Sequence, residues 1–150
     1  MKNIMKIIPL LLLLTVVVGC GKIEEIETVE LSKLLNSSVA FSEHLTHINA
    51  QYSEKRYSLN PKDYSEISAY VGTAAVCDEF VIVKTETTEA MKEKLEKYIG
   101  QKRKIYEKYR PGEVSKLDSA IIETYNNAVV MIITADTENA LDVYREYLKK

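Results

Sequence analysis

The sequence predicts an α+β fold: a four-stranded antiparallel sheet made of two strand–strand–helix units, with the helices packed on one face, behind an N-terminal export signal. Three observations predict it. An apolar run, from Ile7 to Val18, stands at the start of the chain behind Lys2 and Lys6. Two stretches of strand formers, Phe80-Val81-Ile82-Val83 and Val129-Val130-Met131-Ile132, lie in the second half. Each is followed by a Thr-Glu pair and then by apolar residues at three-to-four spacing, the mark of a helix with one buried face.

A basic start, an apolar middle and small residues at the exit are the three parts of a secretory signal peptide. The apolar run is too short for a spanning helix, which needs about 20 apolar residues. It closes in Val17-Val18-Gly19-Cys20. An aliphatic residue three positions before a Cys, and a small one directly before it, make a lipobox, so residues 1–19 read as a lipoprotein signal peptide. Cleavage would fall between Gly19 and Cys20, with a diacylglyceryl group on the Cys20 thiol. Two acyl chains give stable anchoring where one is marginal. The expected address is therefore the extracytoplasmic face of the cell membrane, lipid-anchored through Cys20. A plain signal peptide with an incidental Cys is the alternative.

Residues 20–30 are short, acidic and weakly patterned, and read as the lipidated Cys and a tether; residues 31–150 read as one domain. Val29, Leu31, Leu34 and Leu35 have a brief helical spacing. Residues 39–51 are ambiguous between a strand and irregular chain. Asn60-Pro61 is a helix-start signal, since Asn caps and Pro suits the first helical position, and predicts a short helix over 61–66. Strands are expected over 67–73 and 79–85, as antiparallel neighbours. Thr87-Thr88-Glu89 then opens a long helix with Met91, Leu95, Tyr98, Ile99, Ile105, Tyr106 and Tyr109 on its apolar stripe, and Gly100 as a place to bend. Pro111-Gly112 stops it. Val114 and Leu117 fit a short helical turn. Strands over 120–125 and 128–135 flank Asn126-Asn127, a hairpin turn. Asp136-Thr137-Glu138 starts a last helix that buries Ala140, Leu141, Tyr144, Tyr147 and Leu148. The two halves echo each other, either by duplication or because strand, cap and helix is a common order.

Composition excludes more than it identifies. Loss of residues 1–19 takes Lys2 and Lys6 away and moves the formal charge from −2 to −4. A mildly acidic domain is a poor nucleic-acid binder, because that affinity comes from neutralising phosphates. With Cys20 lipidated, Cys77 is the one remaining thiol, so packing and not a disulfide must hold the domain. Gly-rich phosphate loops, a Gly-x-Ser-x-Gly elbow and Cys-x-x-Cys pairs are absent from the sequence, and no catalytic residue, cofactor or metal is expected.

Asp78-Glu79-Phe80-Val81-Ile82-Val83-Lys84, Tyr109 and Pro111, then Ala120, Asn127, Val129, Met131, Ile133, Asp136 and Ala140, together resemble a bacterial lipoprotein family known as domain of unknown function 4358, found mainly in Firmicutes. The resemblance covers about residues 31–148. It implies export and anchoring on the outer face of the membrane, and it supplies no catalytic residues.

Several groups invite chemistry. His44 and His47 could share one face and a metal, though two ligands leave a site unfinished and exposed histidines are the plainer reading. Cys77 could be a nucleophile activated by one of them, or a small buried hydrophobe. The long helix is basic on its outer face through Lys92, Lys94, Lys97, Lys102, Arg103, Lys104, Lys108 and Arg110, which suits an anionic surface or an ordinary solvated face with Glu93–Lys97 and Arg103–Glu107 pairs. Tyr supplies ten aromatic side chains and Trp none, which disfavours a sugar-stacking platform. The expectation is a binding or interaction module at the outer membrane face, its partner an envelope protein, a wall polymer or a small solute. An envelope enzyme or metal-handling protein using His44, His47 or Cys77 is the alternative, and a structural subunit of an envelope complex a third.

Overall fold

The computed structural model describes residues 25–150. The signal peptide, Gly19 and Cys20 lie outside the described residues. The elements run α1 (Thr28–Ser38), β1 (Thr46–Ile48), α2 (Ala50–Tyr57), β2 (Glu66–Val71), β3 (Glu79–Lys84), α3 (Thr88–Tyr109), a 3₁₀ turn at Pro111–Glu113, α4 (Val114–Asp118), β4 (Ile121–Tyr125), β5 (Ala128–Ile133) and α5 (Thr137–Tyr147). One antiparallel sheet has the order β1-β2-β3-β5-β4.

The sheet has five strands, not four. The fifth, β1, lies in the ambiguous segment 39–51 and pairs Thr46 with Val71 and Ile48 with Ala69. Three residues are too few to show a period of two.

The helices cover both faces of the sheet, not one. Every position of β3 and of β5 is buried. Phe80, Ile82, Val130 and Ile132 meet Leu31 and Leu35 of α1 and Ala140 and Tyr144 of α5. Val81, Val83, Val129, Met131 and Ile133 meet Tyr57 of α2, Met91 and Leu95 of α3, and Leu117 of α4. Successive side chains of a strand point to opposite faces, so a strand apolar at every position needs cover on both sides. Each such side chain contributes roughly 1.5–3 kcal/mol by leaving water, and a one-faced arrangement would forfeit half of them.

The expected helix at 61–66 is a turn. The Asn60 side-chain oxygen accepts from the Lys62 amide, and Asp63 accepts from the Asn60 amide. Asn60 thus spends its oxygen on an Asx turn. The helix is instead α2, capped by Asn49, whose side-chain oxygen accepts from the Tyr52 amide at 3.0 Å. Only Ser53 and Tyr57 of α2 are buried, so it shows almost no apolar stripe.

Packed structure also reaches back into the segment read as tether. Ile26 is buried in the core, and α1 begins at Thr28. Ser32 donates to Ser68 at 2.7 Å, and Thr28 donates to Glu66, so α1 is bound to β2 by polar as well as apolar contacts.

The long helix runs unbroken through Gly100. Its inner face buries Met91 and Leu95, while Ile105 and Tyr109, placed on the stripe by spacing, are 56% and 76% exposed. Thr87 and Asp136 occupy the N-cap positions of α3 and α5 without a side-chain cap bond. Asp136 instead accepts from the Ala40 amide and the Asn139 side chain, joining the chain after α1 to the start of α5.

Candidate functional site

The head of β3 carries three polar residues in a row, Cys77, Asp78 and Glu79, all buried. Charges at such depth must be paired. Glu79 turns toward α2 and α3. Its Oε2 accepts from Arg56 Nε at 2.8 Å and Nη2 at 2.5 Å. Lys102 Nζ lies 3.1 Å from Oε1, but its hydrogen-bond donation goes to the Cys77 carbonyl at 2.8 Å, and Oε1 accepts no hydrogen bond. Two cations therefore share one carboxylate.

Aromatic rings surround this triad. Arg56 and Lys102 lie 5.7 and 5.8 Å from the centroid of the Tyr98 ring, and Lys102 is 5.5 Å from that of Tyr106. Tyr57 meets Tyr98 edge-on at 4.9 Å. Burial pushes the Lys102 ammonium down from its ordinary range, and Glu79 opposes this only in part. Burial works the same way on Arg56, but Glu79 with Tyr98 and Tyr57 outweighs it and raises that group. Burial, then Glu79, holds the Tyr98 and Tyr57 hydroxyls protonated well above pH 10.

Asp78 belongs to a second network. Lys116 Nζ of α4 donates to Asp78 Oδ2 at 2.6 Å, Glu113 Oε2 at 2.8 Å and Ser42 Oγ at 2.7 Å. Three acceptors satisfy the three ammonium protons. Asp78 Oδ1 accepts from the Ser42 amide, and Glu113 Oε2 from the Cys77 amide at 3.0 Å. Burial resists both charges, yet the paired hydrogen bonds win: Lys116 is raised and Glu113 lowered.

The loop between β2 and β3 is fixed from several sides. Glu43 accepts from the Thr73 amide and hydroxyl, and the Tyr106 hydroxyl donates to the Val76 carbonyl at 2.6 Å. Gly72 has no room for a side chain: a Cβ there would lie 2.7 Å from Val76 Cγ2 and 2.9 Å from Glu43 Oε1.

The residues singled out by sequence do not converge. His44 and His47 are exposed; His47 packs its ring on Tyr70, and neither histidine joins a group of three metal-ligating side chains among the described residues. Ligand atoms of Cys77, Asp78 and Glu113 do lie within 4.8 Å of one another. There the Lys116 ammonium already holds both carboxylates. Cys77 is fully buried, its thiol donates to the Glu113 carbonyl, and burial pushes it up to about 12, so it is protonated and shielded. That environment is the reverse of what activates a nucleophile.

Lys102 is not on the outer face of α3. It sits on the inner stripe between Tyr98 and Tyr106, buried. Its neighbours Lys94 and Arg103 are on the outside, paired with Asp63 and with Glu107 and Asp118. The spacing Leu95, Tyr98, Lys102, Tyr106 could have revealed it, as could an Asp-Glu pair opening an apolar strand. Arg56 carries no such signal.

Fold and site define an α/β domain with a five-stranded antiparallel sheet covered on both faces and two charged networks at the head of its central strand. The chain belongs to the family described as Domain of unknown function (DUF4358), whose profile matches residues 37–134. That span holds every residue of both networks and stops before α5. Comparison with curated proteins and with solved structures finds no match.

Proposed function

We propose that this protein is a lipid-anchored extracytoplasmic lipoprotein whose domain is a non-enzymatic binding module at the outer face of the cell membrane. The observation that carries the anchor is the lipobox Val17-Val18-Gly19-Cys20 behind a basic start and an apolar run. Packing begins at Ile26, so any spacer between Cys20 and the core is a few residues long. Among the described residues no helix is long and apolar enough to cross a membrane. The binding reading is supported by an open cleft of about 450 Å³ beside the Arg56–Glu79–Lys102 triad, and by a Cys77 thiol that burial keeps protonated. A volume of this order suits a small organic ligand.

The test is Cys20→Ser in the full chain, expressed in a bacterium with a lipoprotein pathway and grown with labelled palmitate. The wild-type chain should take up label and sediment with membranes. The variant should do neither. Equal labelling and equal retention of both chains would overturn the anchor.

A further inference from the structure

We propose that the cleft between α2, α3 and the β2–β3 loop binds a small organic oxyanion, a carboxylate or phosphate on an aromatic or apolar body, with Arg56 as its principal contact. The inference rests on the binding-module reading and adds a ligand class to it.

The cleft is lined by Arg56, Thr73, Tyr98, Gln101, Lys102 and Tyr106, with Gly72, Ala74 and Ile105 completing it, and none of these is acidic. Glu79 lies beneath and is 0% exposed, so the triad keeps one positive charge in excess, and the nearby Glu43 carboxylate is taken up by the Thr73 amide and hydroxyl. In a partly desolvated cleft a surplus charge attracts a counterion far more strongly than on open surface.

Glu79 takes the Nε and Nη2 side of the guanidinium and so fixes its plane. Glu79 does not engage Nη1, and the Arg56 side chain is 34% exposed. A guanidinium held from behind presents a fixed fork, which is what oxyanion recognition needs. Little side-chain freedom remains to be lost when a ligand arrives. Gln101 stands at the same cleft with an amide donor.

The Tyr98 and Tyr106 rings already face the cations, and Ile105 is exposed at the rim. Flat aromatic faces suit a planar or apolar ligand body. An anion would also relieve Lys102, whose charged form is opposed by burial.

The oxyanion could be carried by a diffusible solute or by a lipid headgroup. The full chain, reconstituted in nanodiscs of neutral phosphatidylcholine, is titrated by calorimetry with phenyl phosphate and with benzyl alcohol, its uncharged counterpart. Phenyl phosphate should bind at least about tenfold more tightly. Repeating the titration in phosphatidylglycerol nanodiscs separates the sources: retained binding means a solute, and lost binding means that headgroups fill the cleft. Arg56→Gln should weaken phenyl phosphate about tenfold or more. Because that change disturbs Glu79, two rim variants that leave the triad intact are decisive. Ile105→Lys should tighten binding and Ile105→Glu should weaken it, each by about threefold to tenfold. Equal binding of benzyl alcohol, no binding of phenyl phosphate in neutral nanodiscs, or equal affinity of the two Ile105 variants would overturn the proposal. Each of those results leaves the Cys20 labelling experiment untouched, so failure of the ligand class and failure of the anchor are read separately.

Discussion

Glu79→Gln removes one charge and almost no volume. Gln keeps an oxygen for Arg56, so packing and both of its hydrogen bonds can survive. What is lost is the carboxylate that Arg56 and Lys102 share. Removing one partner of a buried ion pair costs about 3–5 kcal/mol, because the other charge is stranded. The low end applies here. The Arg56 side chain is 34% exposed and can recover some hydration, whereas that of Lys102 is 8% exposed and cannot. We expect a loss of about 3 kcal/mol, a fall of roughly 10 °C in Tm for a domain of this size. Thermal unfolding followed by circular dichroism reads it. Adding Lys102→Met removes the stranded ammonium, so the double variant should regain at least about half of that loss. A Glu79→Gln Tm within about 2 °C of wild type, or a double variant no better than the single one, would refute the view that two cations depend on one carboxylate.

Gly72→Ala should destabilise by about 1–3 kcal/mol, since the new Cβ meets Val76 and Glu43. Gly100→Ala, with nothing within 4 Å of its Cβ and a helical backbone, should stabilise by about 0.5–1 kcal/mol in urea denaturation. Phe80→Ala, which empties the place between the Phe41 and Tyr70 rings, should cost about 3–5 kcal/mol by the same assay. Cys77 should resist thiol reagents in the native protein at pH 8 and react on unfolding, as its burial and raised value require. Glu66 is lowered by the Thr28 hydrogen bond and then by Lys84; for Glu113, burial pulls upward and the Lys116 hydrogen bond overcomes it. A depressed carboxylate stabilises the fold above its unfolded value and loses that contribution as pH falls through its folded value. Stability should therefore decline as pH drops below about 4.5, and Glu113→Gln should flatten part of the decline.

The sequence made the order of the larger elements legible. β2, β3, α3, β4, β5 and α5 fall where strand formers, helical spacing and turn residues place them. Asn126 has φ 50 in the turn that Asn-Asn predicts. What stayed hidden has physical causes. β1 is too short for a period, and α2 has two buried residues in a polar surface. Asn49 and Asn60 both accept a backbone amide on their side-chain oxygen, but only the segment after Asn49 has a residue, Tyr57, that packs against Tyr98 of α3. The site was less legible still. Lys102 could be read from its place in the stripe of α3, but Arg56 meets Glu79 across 23 positions of sequence, and no local pattern records such a meeting.

The failure of the one-faced sheet also explains the site. In the internal echo Phe80 corresponds to Val129, yet Phe80 faces α1 and α5 while Val129 faces α2 and α3. A displacement of one residue exchanges the faces of a strand. β3 ends on Lys84, which pairs across the sheet with Ala128 on the α1 side, and α3 then packs on the other face. β5 ends on Ile133, which faces α3, and α5 packs on the α1 side. The same Thr-Glu helix start thus delivers helices to opposite layers. Two units related by a local two-fold axis through the sheet would have kept them together. The same alternation acts on the residues before Phe80. Glu79, one step along, must point toward α2 and α3, where Arg56 and Lys102 wait; Asp78 points toward Ser42 and Lys116. A pair of adjacent acids is split by strand geometry into two networks, one satisfied by a single ammonium and one left with a cation to spare, and the open cleft lies beside the second.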